Sequence, residues 1–149
     1  GKENILSEWS PTAYVSTQAA NVLACAAGNY VIDRISSNNF LNDVNKSGNY
    51  LFKGLKELKT RHPIIGYLDN CGLYTGVELV RDKKTKEPAD LEANYVRDLC
   101  VQNGLLFEKG GYYHNRLQLI PPLNIELKVI DKCIEILDFV FEKTRIKFK

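Results

Sequence analysis

The sequence contains few of the residues that bind metals or carry out thiol redox chemistry. It contains 4 cysteines, 2 histidines and no methionine among 149 residues. No cysteine lies within three positions of another, which excludes the CxxC spacing of zinc and thiol redox sites. A free cysteine behaves as a small hydrophobic residue, so four reduced core cysteines are predicted at Cys25, Cys71, Cys100 and Cys133. With only two histidines, no metal site is predicted.

Long apolar runs and a strong excess of one charge are also missing. No run approaches the roughly 18 residues that a membrane helix needs, and residues 1–11 lack the apolar region of a signal peptide. Lysine and arginine total 20 against 18 acidic residues, a net charge of +2. The basic residues are scattered, and those at the C-terminal end fit a solvated, frayed terminus. We therefore expect a cytoplasmic protein that binds neither membranes nor nucleic acid.

Hydrophobic periodicity predicts four helices. Apolar residues recur at three- and four-residue steps over 22–35, 41–58, about 90–103 and 130–141. Gly48 lies on the second apolar stripe, where a missing side chain allows tight packing. Gly104 suits the position after the third helix, and Asn124 is predicted to cap the fourth.

Shorter segments predict a sheet. Strands are expected over 64–69, 73–80, 105–107 and 116–120, with a turn at 70–72 and another at Gly110 and Gly111. Alternation in 73–80 places Leu73, Val77 and their neighbours at every second position on one face, typical of a half-buried strand. The order of elements indicates an α+β fold, a small mainly antiparallel sheet covered by helices.

Five motifs occur together in one order. They are Thr17-Gln18-Ala19-Ala20-Asn21-Val22-Leu23-Ala24-Cys25-Ala26-Ala27, Gly54-Leu55-Lys56-Glu57-Leu58 followed by His62-Pro63-Ile64-Ile65-Gly66, Gly72-Leu73-Tyr74-Thr75-Gly76-Val77-Glu78-Leu79, Asn103-Gly104-Leu105-Leu106, and Arg116-Leu117-Gln118-Leu119-Ile120-Pro121-Pro122-Leu123. The set resembles the class III pyridoxal-phosphate-dependent aminotransferases, whose first motif reads T-F-G-G-N-P-L-A-C-A-A. Each motif alone is weak, but the ordered set covers about residues 14–142.

The resemblance implies the C-terminal small domain of a fold type I enzyme, which works as a homodimer with pyridoxal phosphate. Residues 1–38 would form a lead-in segment with the first helix, and 39–149 the small domain. The family's Schiff-base lysine lies upstream of the first motif, so no catalytic residue is expected in this chain and the chain alone is expected to be inactive. The full-length enzyme would move an amino group from an amino acid to a keto acid.

Cofactor contacts are expected near the first motif. The resemblance implies that Thr17 hydrogen-bonds the phosphate of the partner subunit's cofactor, with Ser16 beside it. A hydroxyl before a helix N-terminus suits an anion, because unpaired backbone N–H groups point there. The alternative is a simple helix cap by Thr17 or Ser16. Ala19 and Ala20 replace two family glycines, so the turn itself departs from the family pattern.

Substrate contacts are expected at Arg116 and Tyr14. The family's matching arginine binds a substrate carboxylate, and a guanidinium holds a carboxylate through two hydrogen bonds. The alternative for Arg116 is a structural salt bridge with Glu108 or Glu78. The aromatic loop 110–114 beside Arg116 either shapes substrate access or is a solvated hairpin tip.

Two other functions remain open at the level of sequence. One is an amino-acid racemase or epimerase of the same family, which needs no keto acid acceptor. The other is a non-catalytic α+β module that binds a small ligand or a partner. The amino donor is not predicted, because specificity depends on residues outside this chain.

Overall fold

A computed structural model describes residues 2–10 and 16–148. The chain divides into two compact units, Gly1–Phe40 and Leu41–Lys149. Among the described residues, no helix is both long enough and apolar enough to cross a membrane.

The first unit contains two helices, α1 (Glu3–Leu6) and α2 (Val22–Ser36). The short α1 lies where no periodicity was visible in the sequence. Asn21 begins α2, because its side-chain oxygen accepts a hydrogen bond from the backbone N–H of Ala24 at 3.0 Å. No residue of α2 is buried, so the prediction of a core position for Cys25 is wrong: its side chain is exposed.

The chain enters the second unit within α3 (Asn38–Arg61). The predicted stripe is confirmed from Val44 onward, with Leu51, Leu55 and Leu58 at most 2% exposed, whereas Leu41 is exposed. Gly48 packs so closely that a Cβ atom there would overlap the carbonyl group of Gly72. The tight approach predicted at Gly48 is therefore confirmed.

Four antiparallel strands form one sheet in the order β1-β2-β4-β3. The strands are β1 (Ile65–Cys71), β2 (Tyr74–Leu79), β3 (Glu108–Gly110) and β4 (Arg116–Leu119). Fully buried side chains at Val77, Leu79 and Leu117 share one face of the sheet. The predicted α+β fold with a small antiparallel sheet is confirmed.

Two predicted positions in the sheet are wrong. The first turn falls at Gly72 and Leu73, not at 70–72, because β1 continues through Cys71 and Gly72 takes a left-handed φ of +57°. Cys71 is consequently exposed and not in the core. The third strand begins at Glu108, which pairs with Gln118. In this register Leu105 and Leu106 would lie opposite Pro121 and Ile120, beyond the end of β4 at Leu119, and residues 105–107 form no ladder.

Helices α4 (Asp90–Gln102) and α5 (Leu127–Lys147) complete the second unit. Gly104 follows α4 with a φ of +82°, as predicted. Cys100 is buried and Cys133 partly buried, and burial raises the pKa of the Cys133 thiol to about 11. Asn124 does not cap α5, because it lies in a turn closed by Ile125 N–H and the carbonyl oxygen of Pro122 at 3.0 Å. The helix begins two residues later, after Glu126.

Candidate functional site: the polar face of the sheet

One face of the sheet is polar. Strand register places Asp69 opposite Gly76, and Gly76 opposite Gln118, in a row that crosses three strands. In the neighbouring row, Glu78 lies opposite Arg116. Directly paired residues share a face, so these side chains lie on the face opposite the buried Val77 and Leu117. We call this surface the polar face; Tyr67 and Tyr74 extend it along β1 and β2 and are about half exposed.

Arg116 crosses this face to reach Asp69. From β4 its guanidinium passes over β2, and Nη2 donates to Oδ1 of Asp69 on β1 at 2.5 Å. A Cβ atom at Gly76 would overlap the guanidinium and lie 2.5 Å from the same carboxylate oxygen. Glycine at position 76 is therefore a condition for the ion pair, because a side chain there would displace the guanidinium.

The electrostatics of the pair follow from this contact. The hydrogen bond to Asp69 raises the pKa of Arg116 above its ordinary value, with smaller contributions from the charges of Asp69 and Glu78. Arg116 therefore stays cationic. The side chains of Arg116 and Asp69 are 27% and 43% exposed, so the pair can be approached from solvent.

The structural alternative for Arg116, a salt bridge, is present, but its acid is Asp69 and not one of the two acids named from sequence. Neither Glu108 nor Glu78 forms the salt bridge, although Glu78 is directly opposite Arg116 in the ladder. Asp69 is 47 residues away in sequence. A prediction of Asp69 as the partner would have required the correct register of β1 with β2 and of β2 with β4.

The aromatic loop is an exposed hairpin tip between β3 and β4. Gly111 has a φ of +81° and His114 a φ of +53°, and the rings of Tyr112 and Tyr113 meet edge to face at 4.9 Å between centroids. Tyr112 is 90% exposed. Lys109 Nζ donates to the carbonyl oxygen of His114 at 2.9 Å and holds the tip closed. The loop therefore matches the solvated hairpin, and its role in substrate access stays a prediction.

The predicted cofactor residues lie in the first unit. Thr17 is exposed in the turn before α2, and the Ser16 hydroxyl accepts the backbone N–H of Gln18 at 3.2 Å. Neither residue caps α2, because Asn21 does. Ala20 takes a left-handed φ of +58°, a conformation that explains the glycine of the family motif at this position. Tyr14 lies outside the described residues.

No described lysine is buried. A lysine that forms a Schiff base needs a low-dielectric site or a cationic neighbour to hold its amine neutral. The expectation that this chain lacks the catalytic lysine stays a prediction that agrees with this arrangement.

Two other polar clusters lie inside the second unit. Arg81 donates to Glu92, Glu87 and Asp90. The buried His62 contacts Asp138 through Nε2 at 2.6 Å. The Arg81 contacts join residues 6 to 11 positions apart, whereas the His62 contact joins residues 76 positions apart, and both support the fold.

A cavity in the second unit lies beside the polar face but does not include the Arg116–Asp69 pair. It measures about 610 Å³ and lies between α5 and the segments 104–108 and 118–125. Its lining is mainly apolar, and neither Arg116 nor Asp69 contributes to it. The cavity borders the polar face at Gln118, and the Arg116–Asp69 pair lies outside its lining.

A family model described as class III aminotransferase matches residues 1–141. The chain belongs to the class III aminotransferase family. Alanine–glyoxylate aminotransferase 2 homolog 2, mitochondrial, from Arabidopsis thaliana is 34% identical over 131 residues, which is 88% of this chain and 28% of that protein.

Solved structures of aminotransferases share the fold. An aminotransferase from Bacillus anthracis has a TM-score of 0.79 at 33% identity, covering 87% of this chain and 30% of that one. A PLP-bound amine transaminase from an uncultivated Pseudomonas species has a TM-score of 0.77 at 25% identity, covering 88% and 30%. The chain thus spans less than a third of the length of these relatives.

Proposed function

We propose that this chain is the C-terminal small domain of a pyridoxal-phosphate-dependent enzyme that transfers an amino group from an amino acid to a keto acid. The observation that carries the proposal is Arg116, a permanent cation held on an accessible polar face within the family motif that binds a substrate carboxylate. Its guanidinium would orient the substrate by holding the carboxylate through two parallel hydrogen bonds.

The residues of the first motif fit the phosphate of the cofactor. Pyridoxal phosphate, when bound, supplies the electron sink for removal of the amino group. Thr17 presents an exposed hydroxyl shortly before the N-terminus of α2, where the helix dipole favours an anion. Ser16 stabilises the turn that presents it. Tyr14 is proposed as a substrate contact on its sequence position alone.

The assembly and the compartment belong to the same proposal. Val22, Leu23 and Tyr30 on α2 are at least 73% exposed, and apolar side chains of this kind suit packing within a larger homodimeric enzyme. The exposed free thiols of Cys25 and Cys71 fit a reducing compartment such as the cytoplasm.

The direct test compares this chain with the full-length protein that carries it. Each is titrated with pyridoxal phosphate, and its absorbance is recorded before and after borohydride reduction. We expect a reducible band in the full-length protein alone, and a cofactor affinity about tenfold weaker with Thr17→Ala, because one hydrogen bond to a charged group is lost. A stoichiometric band at a lysine of this chain would contradict the proposal. No band in either protein would favour a non-catalytic module.

Arg116→Lys is expected to raise KM for the amino acid about tenfold, because lysine keeps the charge but loses the planar fork. The measurement is steady-state transamination by the full-length enzyme. Arg97→Lys is the matched control, since Arg97 forms an exposed ion pair with Asp98 on α4. An unchanged KM for the amino acid in Arg116→Lys would indicate that Arg116 has only a structural role. Turnover of the amino acid without any keto acid acceptor would indicate a racemase.

A further inference from the structure

Another cavity of the second unit lies between the C-terminal half of α5, the start of α4 and the segments 62–64 and 80–81. We call it the α4–α5 cavity; it measures about 300 Å³. Two of its polar lining residues, His62 and Glu92, have side chains only 5% and 8% exposed. Its apolar wall is formed by Pro63, Ile64, Val80, Phe141 and Phe148. A concave site with an apolar wall and a few polar groups is typical of a binding site for a small organic molecule.

Each of the two buried polar side chains has one atom without a partner. Among the described residues, Nδ1 of His62 and Oε2 of Glu92 are buried and form no hydrogen bond. The other polar atom of each side chain is engaged: Nε2 of His62 contacts Oδ1 of Asp138 at 2.6 Å, and Oε1 of Glu92 accepts from Nε of Arg81 at 2.8 Å. Buried polar groups are nearly always hydrogen-bonded, so two open atoms on residues of one cavity indicate a ligand.

Both open atoms are acceptors. A carboxylate only accepts, so the contact with Asp138 assigns the ring proton of His62 to Nε2, and Nδ1 of the neutral ring keeps its lone pair. Oε2 of Glu92 shares the negative charge of its carboxylate. A ligand that satisfies both atoms must donate at least two hydrogen bonds, and a positively charged donor gains most from the carboxylate.

The charges around the cavity also favour a cation. Three arginines, Arg61, Arg81 and Arg145, form ion pairs there with five carboxylates, those of Glu87, Asp90, Glu92, Asp138 and Glu142. With a neutral His62, three positive charges against five negative ones leave this cluster with a charge of −2. The cluster therefore attracts a cation and repels an anion.

Two simpler occupants fit the cavity less well. A water molecule takes up roughly 30 Å³ in the liquid, about a tenth of the cavity, and would leave the apolar wall without contacts. A zinc ion takes three or four protein ligands, and the described residues contain no group of three His, Cys, Asp or Glu side chains that could hold a metal ion. An organic cation uses the open acceptors and the apolar wall together.

We propose that the α4–α5 cavity is a binding site for a small organic cation, whose N–H groups donate to Glu92 Oε2 and His62 Nδ1 and whose apolar group packs against Phe141 and Phe148. The cavity shares no residue with the polar face or with the first motif, so this inference is independent of the proposed function. The cation contacts α4, α5 and the segment before β1, and its binding stabilises the second unit.

The test is calorimetric titration of the full-length holoenzyme with benzamidine. Its planar amidinium carries several N–H donors on an apolar ring and, unlike a primary amine, forms no Schiff base with the cofactor. We expect Glu92→Gln to weaken binding about tenfold, because the amide has no charge and its N–H group replaces the open acceptor. Glu87→Gln is the matched control: Glu87 pairs with the same Arg81 but does not line the cavity, so the affinity should change less than about twofold.

Phe148→Ala tests the apolar wall without disturbing the buried acid. Phe148 is 41% exposed at the C-terminal end of α5, and its truncation should weaken benzamidine binding about threefold through the loss of apolar contact. The uncharged analogue benzamide should bind at least about tenfold more weakly than benzamidine to the wild-type protein. The proposal is overturned if the wild-type protein does not bind benzamidine or binds benzamide equally well. An affinity for benzamidine that is unchanged in Phe148→Ala, or in folded Glu92→Gln, would place the binding elsewhere and overturn it too.

Discussion

Phe141→Ala is expected to destabilise the second unit by about 4 kcal/mol, the usual range for truncating a buried aromatic side chain. Phe141 is fully buried on the inner side of α5, and its ring lies 5.5 Å from the ring of His62 between centroids. Removal of the ring opens a cavity between α5 and the segment that joins α3 to β1. Urea unfolding followed by circular dichroism measures the loss.

Phe139→Ala is the control for this prediction. Phe139 lies on the same helix two residues away, but its side chain is 46% exposed and contacts only Lys143 among ring and cation pairs of the described residues. Its truncation is expected to cost less than about 1 kcal/mol. Equal losses in the two variants would show that α5 packs through a different face.

Gly48→Ala is expected to destabilise the second unit by about 3 kcal/mol, although glycine to alanine usually stabilises a helix. The sign reverses because the new Cβ atom would overlap the backbone carbonyl of Gly72, which no side-chain rotation can relieve. Gly72 is itself fixed in a left-handed conformation by the β1–β2 turn. Helix α3 and the turn must therefore separate, and the urea midpoint should fall.

Gly28→Ala provides the comparison. A Cβ atom at Gly28, in the interior of α2, meets nothing within 4 Å, so alanine should stabilise that helix by roughly 0.5–1 kcal/mol. Opposite signs at positions 48 and 28 are the expected result. A stabilising effect at position 48 would rule out the close contact with Gly72.

The periodic elements could be predicted from sequence because their signal is local. The apolar stripes located α2 to α5, and the alternation of 73–80 gave the buried face of β2. The wrong predictions concern residues whose structure depends on a neighbouring element and not on their own sequence alone. Residues 105–107 are apolar and suit a strand, but β4 ends at Leu119, so Leu105 and Leu106 have no strand residue opposite them. Asn124 has a side chain typical of a helix cap, but it lies within the turn that precedes α5.

The residues of the candidate site differ in the same way: some have a signal in the local sequence, and others depend on how distant segments pair. Arg116 could be predicted as a candidate from its own motif, since an arginine before an apolar strand needs a partner and the resemblance implies a role, which stays a prediction. Its partner Asp69 depends on two strand pairings and on the absence of a side chain at Gly76, and none of these is visible locally. Thr17 was predicted from the motif, and its contact with the cofactor stays a prediction; Asn21 and not Thr17 or Ser16 begins α2.

The crossing of Arg116 over Gly76 also constrains how this surface can change during evolution. A single substitution of Gly76 by any larger residue displaces the guanidinium and leaves Asp69 without its cation, so positions 69, 76 and 116 are expected to be inherited together. Lineages that have acquired a side chain at position 76 should also have lost the acid at 69 or moved the arginine to another partner. Transplanting Arg116 alone into a relative would therefore not transplant the ion pair that fixes its guanidinium.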